Sequence, residues 1–180
     1  KGDNEKYSFL TGVMIALEGA ITFAKRHAAL AREMAAAEKS VERKLELLKI
    51  AEVCEHVPAK PARNFMEACQ AFWFTHLCEN LECSFQAESP SRIDQYLYPM
   101  YEKDVIQDGT LSRQDAAELF ALVLVKINEL YVVKNNYEKN NIPGTTLQAT
   151  TLCGQTPDGK DASNELSYLI LECQAQVNLP

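Results

Sequence analysis

Apolar positions recur three and four residues apart over most of the chain, which is the spacing of helices with one buried face. Leu10, Val13, Met14, Leu17 and Ile21 fall on one such face. The Ala-rich stretch from Ala28 to Ala37 continues with a strong helix former. Further on, Leu45, Leu48 and Glu52 sit on neighbouring turns, among charges paired at i,i+3 and i,i+4. Together these predict helix over about residues 7–56. Pro58 and Pro61 then mark a linker. A second helical stretch, about 62–83, carries Phe65, Cys69, Phe72, Trp73, His76 and Leu77 and is apolar almost all round, as a helix inside a larger body would be. Helices are also predicted over about 92–104, about 112–134 and about 164–177. The second of these three opens with Ser112 and Asp115 in a capping-box pattern.

The period changes only once. From about residue 145 to 153 the chain is Thr-rich, and Leu147, Ala149, Thr151 and Cys153 alternate onto one face of a strand. Asn135 to Gly144 reads as a loop, and Thr156-Pro157-Asp158-Gly159 as a type I turn. The fold class is therefore a mostly α-helical fragment with at least one β-strand. A lone strand leaves its backbone groups without partners, so either its partners lie outside this chain or the assignment fails. The closing Val177-Asn178-Leu179-Pro180 leaves a helix with no polar tail, a second sign of an interior piece.

Composition narrows the function classes. The chain of 180 residues is 47% hydrophobic and 24% charged, which suits a soluble globular protein. A net charge of −7, with Lys and Arg interspersed among acids, excludes the basic face that nucleic acid or an anionic membrane surface requires. No uninterrupted apolar run reaches the length of a bilayer span. Cys54, Cys69, Cys78, Cys83, Cys153 and Cys173 form no Cys-x-x-Cys pair and read as reduced thiols in a cytoplasmic protein.

Two chemical constellations fall short of a site. His76, Cys78, Glu79, Glu82 and Cys83 gather at one helix end, but His-x-x-Glu occurs once and in the reverse of the di-iron order. A packed helix end with a hydrogen-bonded His explains them better. Cys69 and His76 lie two turns apart, about 10 Å of rise, too far for a nucleophile and its base. No glycine-rich phosphate loop is present. Arg92-Ile93-Asp94-Gln95-Tyr96 reads as a polar helix start in which Arg92 and Asp94 satisfy backbone groups.

Several stretches resemble the pyruvate formate-lyase-like glycyl radical enzymes. Pro58-Ala59-Lys60-Pro61 with the helix from Phe65 to Leu77 looks like that family's linker and long inner helix. Ser89-Pro90-Ser91-Arg92-Ile93-Asp94-Gln95-Tyr96 is similar to its Ser-Pro-Gly-Arg-Phe-Asp-Gln-Tyr element. Gly154-Gln155-Thr156-Pro157-Asp158-Gly159 resembles its Gly-Gln-Thr-Pro-Asp-Gly turn, and Asp161 to Tyr168 the helix after that turn. Leu17-Glu18-Gly19-Ala20 also fits, and the match runs from about Thr11 to the end.

The resemblance implies that residues 1–180 are an interior fragment of a longer domain, part of a ten-stranded α/β barrel in which residues 145–153 are one stave. It implies an anaerobic, cytoplasmic radical lyase, dehydratase, decarboxylase or C–C lyase acting on a small-molecule substrate, homodimeric when full length. The family's glycyl radical, installed by a radical S-adenosylmethionine activating enzyme, would lie in a missing C-terminal part. Its thiyl Cys sits in a Gly-Cys-x-Glu loop that this chain lacks. No catalytic residue, metal ligand or bound cofactor is therefore assigned to the chain. Substrate contacts are assigned to Ser84, Gln86, Leu147 and Gln148. Where diol-dehydratase-like members show Asn-Gly-His-Ser, this chain has Ser84-Phe85-Gln86-Ala87, and Ser91 replaces a Gly. Where they show an aromatic, Gln and Asn on the strand, this chain has Leu147, Gln148 and Ala149. Loss of the His-Ser pair disfavours glycerol, because buried hydroxyls need partners. The competing reading is a non-catalytic helical interaction module or family remnant.

Overall fold

The computed structural model describes residues 2–82, 89–130 and 149–178. They form two compact units, Lys1–Ala62 and Arg63–Pro180. The first is a helical hairpin of α1 (Gly2–Ala37) and α2 (Val41–His56). Its seam on α1 is built from small residues: Ala24, Ala28, Ala31 and Ala35 are all buried, three or four residues apart. On α2, Leu47, Ala51, Val53 and Cys54 are buried. Arg32 on α1 makes a forked pair with Glu55 on α2, at 2.9 Å through Nε.

The single helix expected over 7–56 is in fact two. Ser40 takes an extended conformation, and its hydroxyl accepts from the Arg43 N–H. The Glu38 carboxylate accepts from the Lys39 and Ser40 N–H groups. These side-chain acceptors satisfy backbone donors that would otherwise continue the helix.

The expectation about apolar runs is also corrected. Glu18 interrupts the apolar stretch of α1, yet one 18-residue window has a mean hydropathy of 1.4, enough by length and composition to cross a bilayer. Tyr7, Phe9, Met14, Ile15 and Leu17 are exposed there.

The second unit packs α3 (Phe65–Glu82), α4 (Ile93–Tyr101), a π-helical segment (Glu102–Gln107), α5 (Arg113–Asn128) and α6 (Glu165–Val177). Phe65, Ile93, Leu97, Tyr101, Phe120, Leu166 and Leu169 make its core. The Phe65 and Tyr101 rings meet edge to face at 5.5 Å. Arg113 on α5 pairs with Glu172 on α6 at 2.7 Å. The α3 helix is less enclosed than its sequence implies, since Leu81 is exposed.

Helix starts in this unit are held by acids. The buried Asp104 accepts from the Phe65 N–H at 2.7 Å, capping α3 from the π-helical segment. The buried Glu67 accepts from the Arg63 N–H and guanidinium. Helical structure passes beyond the expected residue 104 to Gln107. Pro99 removes one helical donor, and the chain widens three residues later, ending with the Asp108 N–H on the Lys103 carbonyl. The α5 helix ends at Asn128; the rest of the expected 112–134 helix falls largely outside the described residues.

Two short strands complete the unit. Ser91–Arg92 (β1) and Thr150–Thr151 (β2) pair in parallel, Ser91 opposite Thr150 and Arg92 opposite Thr151. The described part of the expected strand thus has a partner within the chain, at residues that carry no strand signal and border an expected helix start. Residues 145–148 lie outside the described residues.

Ser112 accepts from the Asp115 N–H at 3.0 Å and donates to the Asp115 carboxylate at 2.6 Å. Ser112→Ala removes this cap and is expected to lower stability by about 1 kcal/mol in urea unfolding.

Candidate functional site

A dense polar cluster forms where α4 begins. Asp94 lies in its first turn and is fully buried. A buried carboxyl group must find donors. Its Oδ2 accepts from the Cys153 N–H at 2.8 Å, the Gln95 side-chain amide at 3.0 Å and the Ser167 hydroxyl at 2.5 Å. Ser167 also caps α6: its hydroxyl accepts from the Asn164 N–H, and the Asn164 side chain accepts from the Ser167 N–H. The Asn164 amide donates in turn to the Asp94 carbonyl at 3.2 Å. One carboxyl group therefore joins the first turns of two helices, where helix dipoles favour an acid.

Arg92 and Gln95 extend the cluster. Arg92 donates through Nε to the Cys153 carbonyl at 2.8 Å and through Nη1 to the Gln155 carbonyl at 3.2 Å. Gln95 donates to the Ala162 carbonyl at 2.8 Å. The segment so gripped doubles back on itself. Gln155 bridges Asp161, the Ala162 N–H reaches the Gly154 carbonyl, and the Gly159 N–H closes a turn on the Thr156 carbonyl. Cys153 and Gly154 carry φ of 62° and 88°, left-handed values that let the chain turn off the strand.

A cavity of about 380 Å³ lies beside α3 and is lined by Ala68, Phe72, Thr75, His76, Glu79 and Tyr96, with Ser89 and Pro90 at its edge. His76 is buried and stacks on Phe72 at 5.3 Å. The Tyr96 hydroxyl donates to the Pro90 carbonyl at 2.9 Å. Burial, with the Glu79 charge second, pushes its phenol well above the usual tyrosine range. The size suits a small ligand. Among the described residues, no three His, Cys, Asp or Glu side chains come together as a metal site. Cys69, within α3, is a buried thiol that desolvation pushes up to about 12, and Cys54 on α2 is pushed up to about 11. Such thiols are poor nucleophiles.

The family model for pyruvate formate lyase-like proteins matches residues 1–180. The chain belongs to the pyruvate formate lyase-like family. It is 43% identical to the isethionate sulfite-lyase of Desulfovibrio desulfuricans, over 99% of this chain and 22% of that protein. A solved structure concerning 1,2-propanediol dehydration in Roseburia inulinivorans matches with a TM-score of 0.93 at 41% identity, over 97% of this chain and 22% of the other. The glycerol-bound B12-independent glycerol dehydratase of Clostridium butyricum matches with a TM-score of 0.90 at 38% identity, over 96% and 22%. The chain spans about a fifth of the length of these relatives.

In this pyruvate formate lyase-like chain, the two motifs that carry the resemblance are physically interlocked. Arg92, Asp94 and Gln95 of the first grip Cys153, just before the second, and Gln155 and Ala162 along it. Sequence reasoning pairs Arg92 and Asp94 with backbone groups, and the groups they serve lie about sixty residues away. Ser84, Gln86, Leu147 and Gln148 lie outside the described residues. The structure does show the parallel pair that comes after them in the chain, β1 after the first two and β2 after the others.

Gly154→Ala places a side chain at φ 88° and is expected to cost about 1–3 kcal/mol in urea unfolding. Because burial raises the Cys69 thiol to about 12, thiolate appears only as pH approaches that value. Cys69 is expected to stay unalkylated by iodoacetamide near neutral pH in the native protein and to react once unfolded.

Proposed function

We propose that this chain is part of a longer glycyl radical enzyme that acts on a small substrate, with α3 to α6 and the parallel pair belonging to a ten-stranded α/β barrel. Abstraction of a substrate hydrogen by a thiyl radical gives a carbon radical. That radical expels a leaving group, and the product radical recovers its hydrogen from the thiol. Neither the glycyl radical nor the thiyl Cys belongs to residues 1–180, and none of the six cysteines is assigned that role.

The observation that carries this reading is the match along the whole chain to relatives about five times longer, one a sulfite-lyase and another a glycerol dehydratase. Both names describe an elimination. Within that class, the replacement of His-Ser by Gln86-Ala87 disfavours glycerol. Ser84, Gln86, Leu147 and Gln148 are proposed as pocket residues, because they stand at the motif positions where the resemblance implies substrate contacts. A dimer in the cytoplasm, activated by a radical S-adenosylmethionine enzyme, completes the proposal. The apolar face of α1 is then covered by protein rather than lipid, since the family match includes it.

Full-length protein, incubated without air with a radical S-adenosylmethionine activating enzyme, is expected to show a glycyl radical doublet by electron paramagnetic resonance. It should then turn over isethionate, 1,2-propanediol or another small eliminating substrate in preference to glycerol. No radical in the presence of an activating enzyme competent on a control partner would overturn the reading. Radical formation with glycerol as the best substrate would overturn the specificity.

A further inference from the structure

We propose that the exposed N-terminal half of α1 is a docking face for a helix from the part of the same polypeptide that lies outside residues 1–180, and that this helix sets a Lys or Arg beside Glu18. The inference rests on the proposed function, in which the chain is part of a longer polypeptide.

Apolar residues recur along α1 at alternating steps of three and four. Tyr7, Leu10, Met14, Leu17 and Ile21 come first, then Ala24, Ala28, Ala31 and Ala35. This is the 3.5-residue period of a helix that packs along another helix. The four alanines are the closed half of the seam, buried in the hairpin with α2. The α2 helix has 16 residues against 36 in α1, so at about 1.5 Å per residue it spans ~24 Å of a helix of ~54 Å. Burial stops at Ala24. Before it the same row turns to large side chains, and Tyr7, Leu10, Met14 and Leu17 are exposed.

The row beside the seam carries Thr11, Glu18, Lys25 and Arg32, seven residues apart. Arg32 pairs with Glu55 on α2, so this row meets the charges of whatever helix faces the seam. Glu18 occupies the same row two heptads earlier, with the opposite sign. A helix facing it there is therefore matched by a base.

That charge also chooses among occupants. In lipid, Glu18 would lie within the span, where an acid is costly. In a parallel pair of two such stripes Glu18 faces Val13, and in an antiparallel pair Thr11, neither of them a base. The rest of the polypeptide remains. The match to the solved propanediol-dehydration structure takes in 97% of this chain and 22% of that one, so a helix like α1 sits there within a much longer chain.

The test uses unactivated full-length protein and its native Met14. Peroxide oxidation of Met14, read by peptide mass spectrometry, is expected to be at least about 30-fold slower in the native protein than in urea. That protection should survive an about 100-fold dilution, because the cover is intramolecular. Glu18→Lys should speed the native oxidation by about 2–5-fold and Glu18→Gln by less. A photo-crosslinker, p-benzoylphenylalanine, placed at Leu10 or at Leu17 should reach one segment outside residues 1–180 in the same polypeptide, at sites about seven residues apart. Rapid oxidation of Met14 overturns the proposal, as does protection that is lost on dilution or that needs phospholipid vesicles. Crosslinks between two copies, or to sites without helical spacing, overturn it as well. An unchanged rate in Glu18→Lys overturns the facing base. None of these readouts uses the radical. Protected Met14 in a protein that forms no radical leaves the docking face standing and the functional reading overturned, and free Met14 in a protein that does form one reverses the two.

Discussion

The carboxyl group of Asp94 is the point on which the second unit depends. Burying a carboxyl group is costly unless it is hydrogen-bonded, so the chain around it supplies donors to Oδ2, while Oδ1 has none among the described residues. It does so from three places: a strand end at Cys153, a helix start at Ser167 and a neighbour at Gln95. Cys153 and Ser167 belong to different elements, so α4, α6 and the turn after β2 are set by one atom.

The same device recurs with other acids. Asp104 caps α3 from the π-helical segment, and Glu67 gathers Arg63 at the start of that helix. All three acids are buried and serve helix beginnings, where backbone N–H groups lack partners and the helix dipole is positive. Part of the chain's acidity is therefore internal scaffolding rather than surface charge. Hydrophobic contacts such as Phe65 on Tyr101 fill the space between helices whose starting points the acids have set.

The helices were legible because their periodicity is long and regular. The break at residues 38–40 was not, since Ala-rich and Glu/Lys-rich stretches on either side are both good helix formers, and only the side chains of Glu38 and Ser40 interrupt them. β1 was not legible either. Ser91 and Arg92 have no strand preference and pair only because tertiary contacts place them beside Thr150 and Thr151. A lone strand does need a partner, and here that partner lies inside the chain. The clamp was half legible. Asp94, Asn164 and Ser167 each have a sufficient local explanation at a helix start, so nothing in the sequence announces that they serve one another across 70 residues or more. The available signal was Arg92 and Asp94 together in one helix start, with a glycine and a turn directly after the only predicted strand. The proposed pocket residues Ser84, Gln86, Leu147 and Gln148 lie outside the described residues.

Clamping Cys153 to Asp94 closes a loop of 59 residues in sequence separation. The entropy of closing a flexible loop grows only logarithmically with its length, so doubling it would cost about 0.6 kcal/mol. That small cost applies to flexible chain alone, and the loop closed here holds α4, the π-helical segment and α5, which give Leu97, Tyr101 and Phe120 to the core. Closing the clamp therefore encircles packed helices, and most of what lies between its two ends is held by that packing as firmly as the ends themselves.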